Sequence, residues 1–239
     1  MIAGFKKRLK ALLNYHFIKK KQKVFCISIQ RTGTTSVGDF LEDHGFRVAR
    51  YSDSRYFNWS HCWHIGDYER IFKSIAFNSF QAFEDDPWWL PDFYKVLFHR
   101  FPEAKFILFY RDSNKWFDSL LKHSGGKILG NTHRHCKVYR RLSEYYSRLD
   151  NDVDFNPTEN QVDNLLSLDG KREHYKTIYE ENNREVIDYF KRFAPQSLFV
   201  AKLEDTEKWI KLGQFLGVEV ELAYNVHSNK SQSILKNKK

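Results

Sequence analysis

The sequence predicts a three-layer α/β/α domain built on a central parallel sheet, and three observations predict it. Lys105-Phe-Ile-Leu-Phe-Tyr110 is an apolar run of strand length, the composition of a strand buried on both faces. Residues 24–29, Val-Phe-Cys-Ile-Ser-Ile, form a second such run that feeds a Gly/Thr turn and then an amphipathic stretch. Elsewhere, short apolar runs alternate with segments of helical period, the pattern of a parallel sheet covered on both faces.

In chain order, the turn after 24–29 is centred on Gly33, and Val37, Phe40, Leu41 and His44 lie on one face of the helix that follows. Residues 46–51 read as a second strand and 67–77 as a helix. Residues 80–83 make a short apolar strand that ends in Glu84-Asp85-Asp86-Pro87. The periodicity of 90–101 is helical and stops before Pro102. After the strand 105–110, Ser113 reads as the N-cap of a helix holding Trp116, Phe117, Leu120 and Leu121. Helices are expected over 136–149 and 173–193, then a strand at 198–201 and a helix at 206–216. The stretches 123–135 and 150–172 read as loops. No repeat and no Pro/Gly/Ser-rich linker divides the 239 residues, so 24–229 reads as a single domain.

The net charge of +9 suggests a nucleic-acid binder until it is located. Residues 1–23 hold eight Lys/Arg and residues 230–239 hold four, with no acid in either; removing those twelve charges leaves 24–229 at −3. A nucleic-acid-binding face on the domain is therefore not expected. Residues 1–23 read as a basic arm with Ile2, Phe5, Leu9, Leu12, Leu13 and Phe17 interspersed. Such an arm either rests on an anionic membrane surface or packs its apolar stripe on the domain. No apolar run approaches the roughly 20 residues of a membrane span. The three cysteines, Cys26, Cys62 and Cys136, are scattered without metal-ligand spacing, which suits a reducing cytoplasm.

The segment after the first strand carries the chemistry. A strand, a tight turn and a helix N-terminus make an anion cradle, because first-turn amides and the positive end of the helix dipole converge there. Thr32, Thr34, Thr35 and Ser36 add hydroxyl donors and Arg31 a permanent charge. A generic nucleoside-triphosphate loop requires Gly-x-x-x-x-Gly-Lys-Ser/Thr. Here Ser28 stands at the first Gly and Thr34 where Lys should follow Gly33, and Arg111-Asp112 offers no good magnesium-binding aspartate. Magnesium-assisted phosphoryl transfer thus lacks two supports. A second constellation, Arg111 at the end of a strand and Ser119 eight residues on, can converge on one phosphate. Alternatively these are a surface Arg and a helix-side Ser.

Taken together, Arg31-Thr-Gly-Thr34 and the Arg111/Ser119 pair resemble the sulfotransferase family that uses 3′-phosphoadenosine 5′-phosphosulfate (PAPS). The resemblance extends over Pro102-Glu-Ala-Lys-Phe-Ile-Leu and Trp116, and weakly over 199–217. It implies the P-loop-like nucleoside-triphosphatase fold of sulfotransferases. Arg31, Thr32, Gly33, Thr34, Thr35 and Ser36 would hold the 5′-phosphosulfate, and Arg111 and Ser119 the 3′-phosphate, leaving 3′,5′-adenosine bisphosphate as product. No metal would be required. Many members carry Lys at position 31, so this chain resembles the Arg-Thr-Gly-Thr branch. The family's Arg-Lys-Gly-rich C-terminal signature is missing, and Lys230 is the candidate substitute.

Members place the catalytic base just after the third strand. Asp85 takes that place, with Glu84 as nearest rival and His61, His64 and His123 as further candidates. Asp86 and in part Asp85 could instead cap the helix 90–101. Trp59, Trp63, Trp88 and Trp89 would either line the mouth of an acceptor pocket or pack in the core. The expected reaction is sulfuryl transfer to a hydroxyl or amine of a small-molecule or glycan acceptor, in the cytoplasm, with peripheral membrane contact through the arm. Competing readings are an ATP/magnesium small-molecule kinase and a non-catalytic nucleotide-binding module.

Overall fold

In the computed structural model the described residues are 21–123, 133–151 and 167–226. Lys230 and most of the basic arm and tail lie outside them. The elements in order are β1 (Val24–Cys26), α1 (Thr34–Asp43), β2 (Val48–Ala49), α2 (Tyr51–Tyr56), α3 (Trp59–His64), α4 (Tyr68–Phe72), α5 (Ile75–Asn78), β3 (Ala82–Phe83) and α6 (Phe93–Arg100). There follow β4 (Lys105–Tyr110), α7 (Ser113–His123), α8 (His133–Val138), α9 (Leu142–Asn151), α10 (Arg172–Phe193), a 3₁₀ turn (Pro195–Ser197), β5 (Leu198–Lys202) and α11 (Lys208–Leu216).

All pairings are parallel, and the strands lie in the order β2-β3-β1-β4-β5. The pleat sends successive side chains of β1 and β4 to opposite faces. Val24, Cys26, Ile107 and Phe109 join Phe40, Trp209 and Leu212 under α1 and α11. Phe25, Phe106 and Leu108 join Trp59, Phe77, Trp88, Phe93, Tyr179 and Phe190 on the other face. Two cores separated by one sheet make the three layers that the apolar composition of 24–29 and 105–110 predicts. At the amino edge of the sheet, buried Lys23 donates to the Phe80 carbonyl and stands 5.2 Å from the Phe77 ring centre. No helix among the described residues is long and apolar enough to cross a membrane.

Several local expectations need correction. The strand at 46–51 shrinks to Val48–Ala49 because Tyr51 opens a helix: the Arg50 amide donates to Asp53 Oδ2 at 3.0 Å, a side-chain bond that favours helix entry. The helix at 67–77 is two, since Ser74 caps a new start by accepting from the Phe77 amide at 3.1 Å. The helix at 136–149 is also two, broken at Arg140, whose φ of 51° is left-handed. Asp112, not Ser113, caps α7, accepting from the Lys115 amide at 3.0 Å. The helix foreseen at 90–101 starts at Phe93, with Asp92 before it, so neither Asp85 nor Asp86 caps it.

Candidate active site

Parallel strands present their carboxyl ends to a common edge, where open α/β sheets bind ligands at the point where strand order reverses. Here β1 lies between β3 and β4, and the segments leaving these three strands carry Arg31 to Ser36, Glu84 to Asp86, and Arg111 to Ser119.

The turn after β1 is curled by two left-handed residues, Arg31 (φ 69°) and Gly33 (φ 84°). A Cβ at Gly33 would stand 2.7 Å from Leu203 Cδ1, so both conformation and space call for glycine. The first helical bond of α1 runs from the Val37 amide to the Gly33 carbonyl at 3.0 Å. The amides of Thr34, Thr35 and Ser36 precede it, at the place where a helix start directs N–H groups at an anion. No acidic residue occupies this first turn. Thr32 is wholly buried and its hydroxyl donates to the Ile29 carbonyl at 2.5 Å, which bonds the turn to itself. Of the four predicted hydroxyl donors, Thr32 therefore shapes the turn from within. The turn is braced from outside as well. Trp116 Nε1 donates to the Gln30 carbonyl at 2.9 Å, and Gln30 Nε2 donates to Tyr139 Oη at 2.7 Å.

The two sequence constellations meet. Arg31 Nε donates to Ser119 Oγ at 3.2 Å, and Arg31 Nη1 lies 3.4 Å from His123 Nδ1. Burial, and secondarily the charge of Arg111, lower the Arg31 pKa, while Asp85 opposes them. Arg31 thus sits in electrostatic reach of Asp85 on one side and Arg111 on the other. The backbone of Arg111 is fixed by Tyr179, whose hydroxyl accepts from the Arg111 amide at 2.9 Å and donates to its carbonyl at 3.3 Å. Tyr179 in turn stacks on Trp116, with ring centres 4.4 Å apart. Arg111 Nε is buried without a hydrogen bond and stands 3.8 Å from Glu204 Oε1. A buried guanidinium N–H lacking an acceptor suits an anionic ligand group.

Three consecutive carboxylates leave β3. Burial above all, and then the Asp86 charge, push the Asp85 pKa up to about 6; the Asp86 amide, the Trp89 indole and Arg31 hold it back. Its side chain accepts from the Asp86 amide at 2.9 Å, and its φ of 66° is left-handed, a region aspartate tolerates better than most. Glu84 is only 3% exposed, and burial with the adjacent Asp85 pushes it up to about 8 against the pull of Arg50. Burial also raises Asp86, which accepts from Ser60 Oγ at 2.5 Å. With a pKa raised to about 6, Asp85 still favours its ionised form at neutral pH, within electrostatic reach of Arg31, whereas Glu84, raised to about 8, favours its protonated form.

The four tryptophans, Trp59, Trp63, Trp88 and Trp89, are all less than 9% exposed, so they pack the core and do not form an open acceptor wall. Trp59 and Trp88 pack edge to face at 5.5 Å, and Trp88 lies 4.7 Å from Phe83. Trp89 reaches the site through its indole N–H, close enough to favour ionised Asp85 without completing a hydrogen bond. Of the candidate histidines, His123 reaches the turn; His61 and His64 stand on α3, with the His64 ring edge-on to His133 at 5.3 Å between centres. Among the described residues no group of three or more His, Cys, Asp or Glu side chains is arranged to hold a metal ion.

A family model described as a sulfotransferase domain matches residues 23–234. The chain belongs to the sulfotransferase family. The all-parallel five-stranded sheet flanked by helices is the α/β architecture of a sulfotransferase, and the family assigns the enzyme to the transferases. No curated protein sequence matches this sulfotransferase. Tyr139, Tyr179, Glu204 and Arg50 were invisible to motif reading. Tyr179 belongs to a buried helix face whose periodicity signals packing only, and the others bond across distant segments.

Proposed function

We propose that this sulfotransferase takes PAPS as donor and moves its sulfuryl group to a hydroxyl or amine of a small-molecule or glycan acceptor. The observation that carries the reading is the 3.2 Å bond from Arg31 to Ser119, which draws the turn after β1 and the helix after β4 into one donor-rich centre. The donors present fit the cofactor: first-turn amides, Thr34, Thr35, Ser36 and Arg31 for a phosphosulfate, and Arg111 with Ser119 for a 3′-phosphate. The nucleotide, when bound, supplies a sulfuryl group activated by a phosphate leaving group.

Asp85 would take the proton of the acceptor's hydroxyl or amine, making its oxygen or nitrogen the nucleophile for the donor's sulfuryl group. A carboxylate with a pKa near 6 is ionised at neutral pH yet basic enough for that task. Arg31 and the first-turn amides would neutralise charge on the sulfuryl group and on the bridging oxygen that departs with the phosphate. Arg111 is held in place by Tyr179 and contributes binding energy.

Thermal shifts with 3′,5′-adenosine bisphosphate and with ADP test the cofactor, repeated on Arg111→Ala. The bisphosphate should stabilise the protein more than ADP, and Arg111→Ala should weaken its binding by about 10- to 150-fold, the loss of one charged hydrogen-bonded contact. Equal stabilisation by the two nucleotides, or an unchanged response in the variant, refutes the assignment.

A further inference from the structure

Arg50 lies at the end of β2, outside every motif, yet it touches both halves of the site. Its Nη1 donates to the carbonyl of Thr35 at 3.1 Å, in the first turn of α1. Its Nη2 donates to Asp39 at 2.7 Å and its Nε to Glu42 at 3.2 Å, one and two turns further along the same helix. On the other side, Nη1 stands 3.9 Å from Glu84 Oε1, the residue before Asp85. The guanidinium fills the space between α1 and the end of β3, and Gly38 makes that space. A Cβ at position 38 would stand 2.0 Å from Arg50 Nη1 and 3.0 Å from Glu84 Cγ.

We infer that Arg50, seated over Gly38, is a positioning residue that sets the anion-cradling helix against the strand end carrying Asp85. The inference rests on the proposed function for its catalytic consequence and on geometry alone for the clamp. A planar fork of several donors holds the Thr35 carbonyl and the Asp39 and Glu42 carboxylates at once while lying against the Glu84 carboxyl. A lysine offers a single charged centre in its place. Arg50 touches neither the cradle's open side nor Asp85 itself, so it acts through α1 and Glu84. Reactive geometry is sensitive to such supports, because displacements on the order of 1 Å can cost about 100-fold in rate.

The test uses the full chain with Arg50→Gln, Gly38→Ala and the double variant Gly38→Ala/Arg50→Ala. Steady-state turnover of PAPS is measured well below the melting temperature, alongside amide hydrogen exchange of residues 34–43. Arg50→Gln should lower kcat by about 10- to 100-fold with the KM for PAPS changed less than about threefold, and should speed exchange in 34–43. Gly38→Ala should do the same, and adding Arg50→Ala should restore its melting temperature while leaving kcat low, a non-additive pair. A lowered melting temperature with kcat unchanged would make Arg50 a stability contact only and overturn the inference. If Arg50→Gln does not fold, Arg50→Lys reads the same kcat loss. Should the unmodified protein turn over no PAPS, the proposed function fails, and exchange in 34–43 decides the clamp alone: unchanged rates in Arg50→Gln reject it.

Discussion

Asp85 gives the site a definite acid limb. With a pKa of about 6, the carboxylate is about 90% ionised at pH 7 and about 10% at pH 5. If only the ionised form accepts the acceptor's proton, kcat/KM should fall about tenfold between those values along a single-proton curve. The neighbours predict how the inflection moves. The Asp86 charge is the second cause of the raised value, so Asp86→Asn should shift the midpoint to lower pH. Asp85→Asn, nearly isosteric, should lower kcat by about 100- to 10,000-fold while retaining stabilisation by 3′,5′-adenosine bisphosphate. The assay is initial rate against pH at constant ionic strength, with folding checked at each pH. A flat profile from pH 5 to 7, or an Asp85→Asn variant with near-normal turnover, refutes the assignment of the base. An inflection near 8 would instead transfer the role to Glu84, whose carboxyl titrates there.

Two further outcomes follow from the same geometry. Glu84 is raised from 4.5 to about 8, so the folded protein binds its proton more tightly than the unfolded chain does. Stability present below pH 4.5 should therefore decline as pH rises to 8, and Glu84→Gln should flatten that decline in thermal melts. Gly33→Ala meets both a left-handed φ of 84° and a Cβ position 2.7 Å from Leu203 Cδ1. It should destabilise by about 1–2 kcal/mol and abolish the shift given by the bisphosphate; a variant as stable as the parent would show that the turn relaxes freely.

The fold was legible where sequence dictates burial strongly. Residues 106–109 are apolar and buried because β4 is covered on both faces, and the long helix α10 announced itself through its period. The region 51–78 was not legible. Its four short helices begin at local caps such as Asp67 and Ser74, and its aromatics, Tyr51 to Trp63, carry no clear period because several point into a shared core. At the site, the turn around Gly33 was readable from local turn chemistry, whereas Arg111 and Ser119 were picked out by the resemblance to sulfotransferases. The residues that hold them were not, because Arg50 reaching Thr35, and Tyr179 reaching Arg111, depend on how distant segments pack.

The turn at Gln30 to Gly33 is tied on three sides: Thr32 to Ile29 within it, Trp116 to the Gln30 carbonyl, and Gln30 to Tyr139. A loop so fastened has little freedom left to surrender when an anion arrives. Binding then avoids much of the ordering penalty that a slack loop imposes, so affinity reflects the contacts themselves. Selectivity benefits too, since a rigid mould cannot wrap around an ill-fitting nucleotide. Loosening any one tether should therefore weaken discrimination between nucleotides before it weakens the fold.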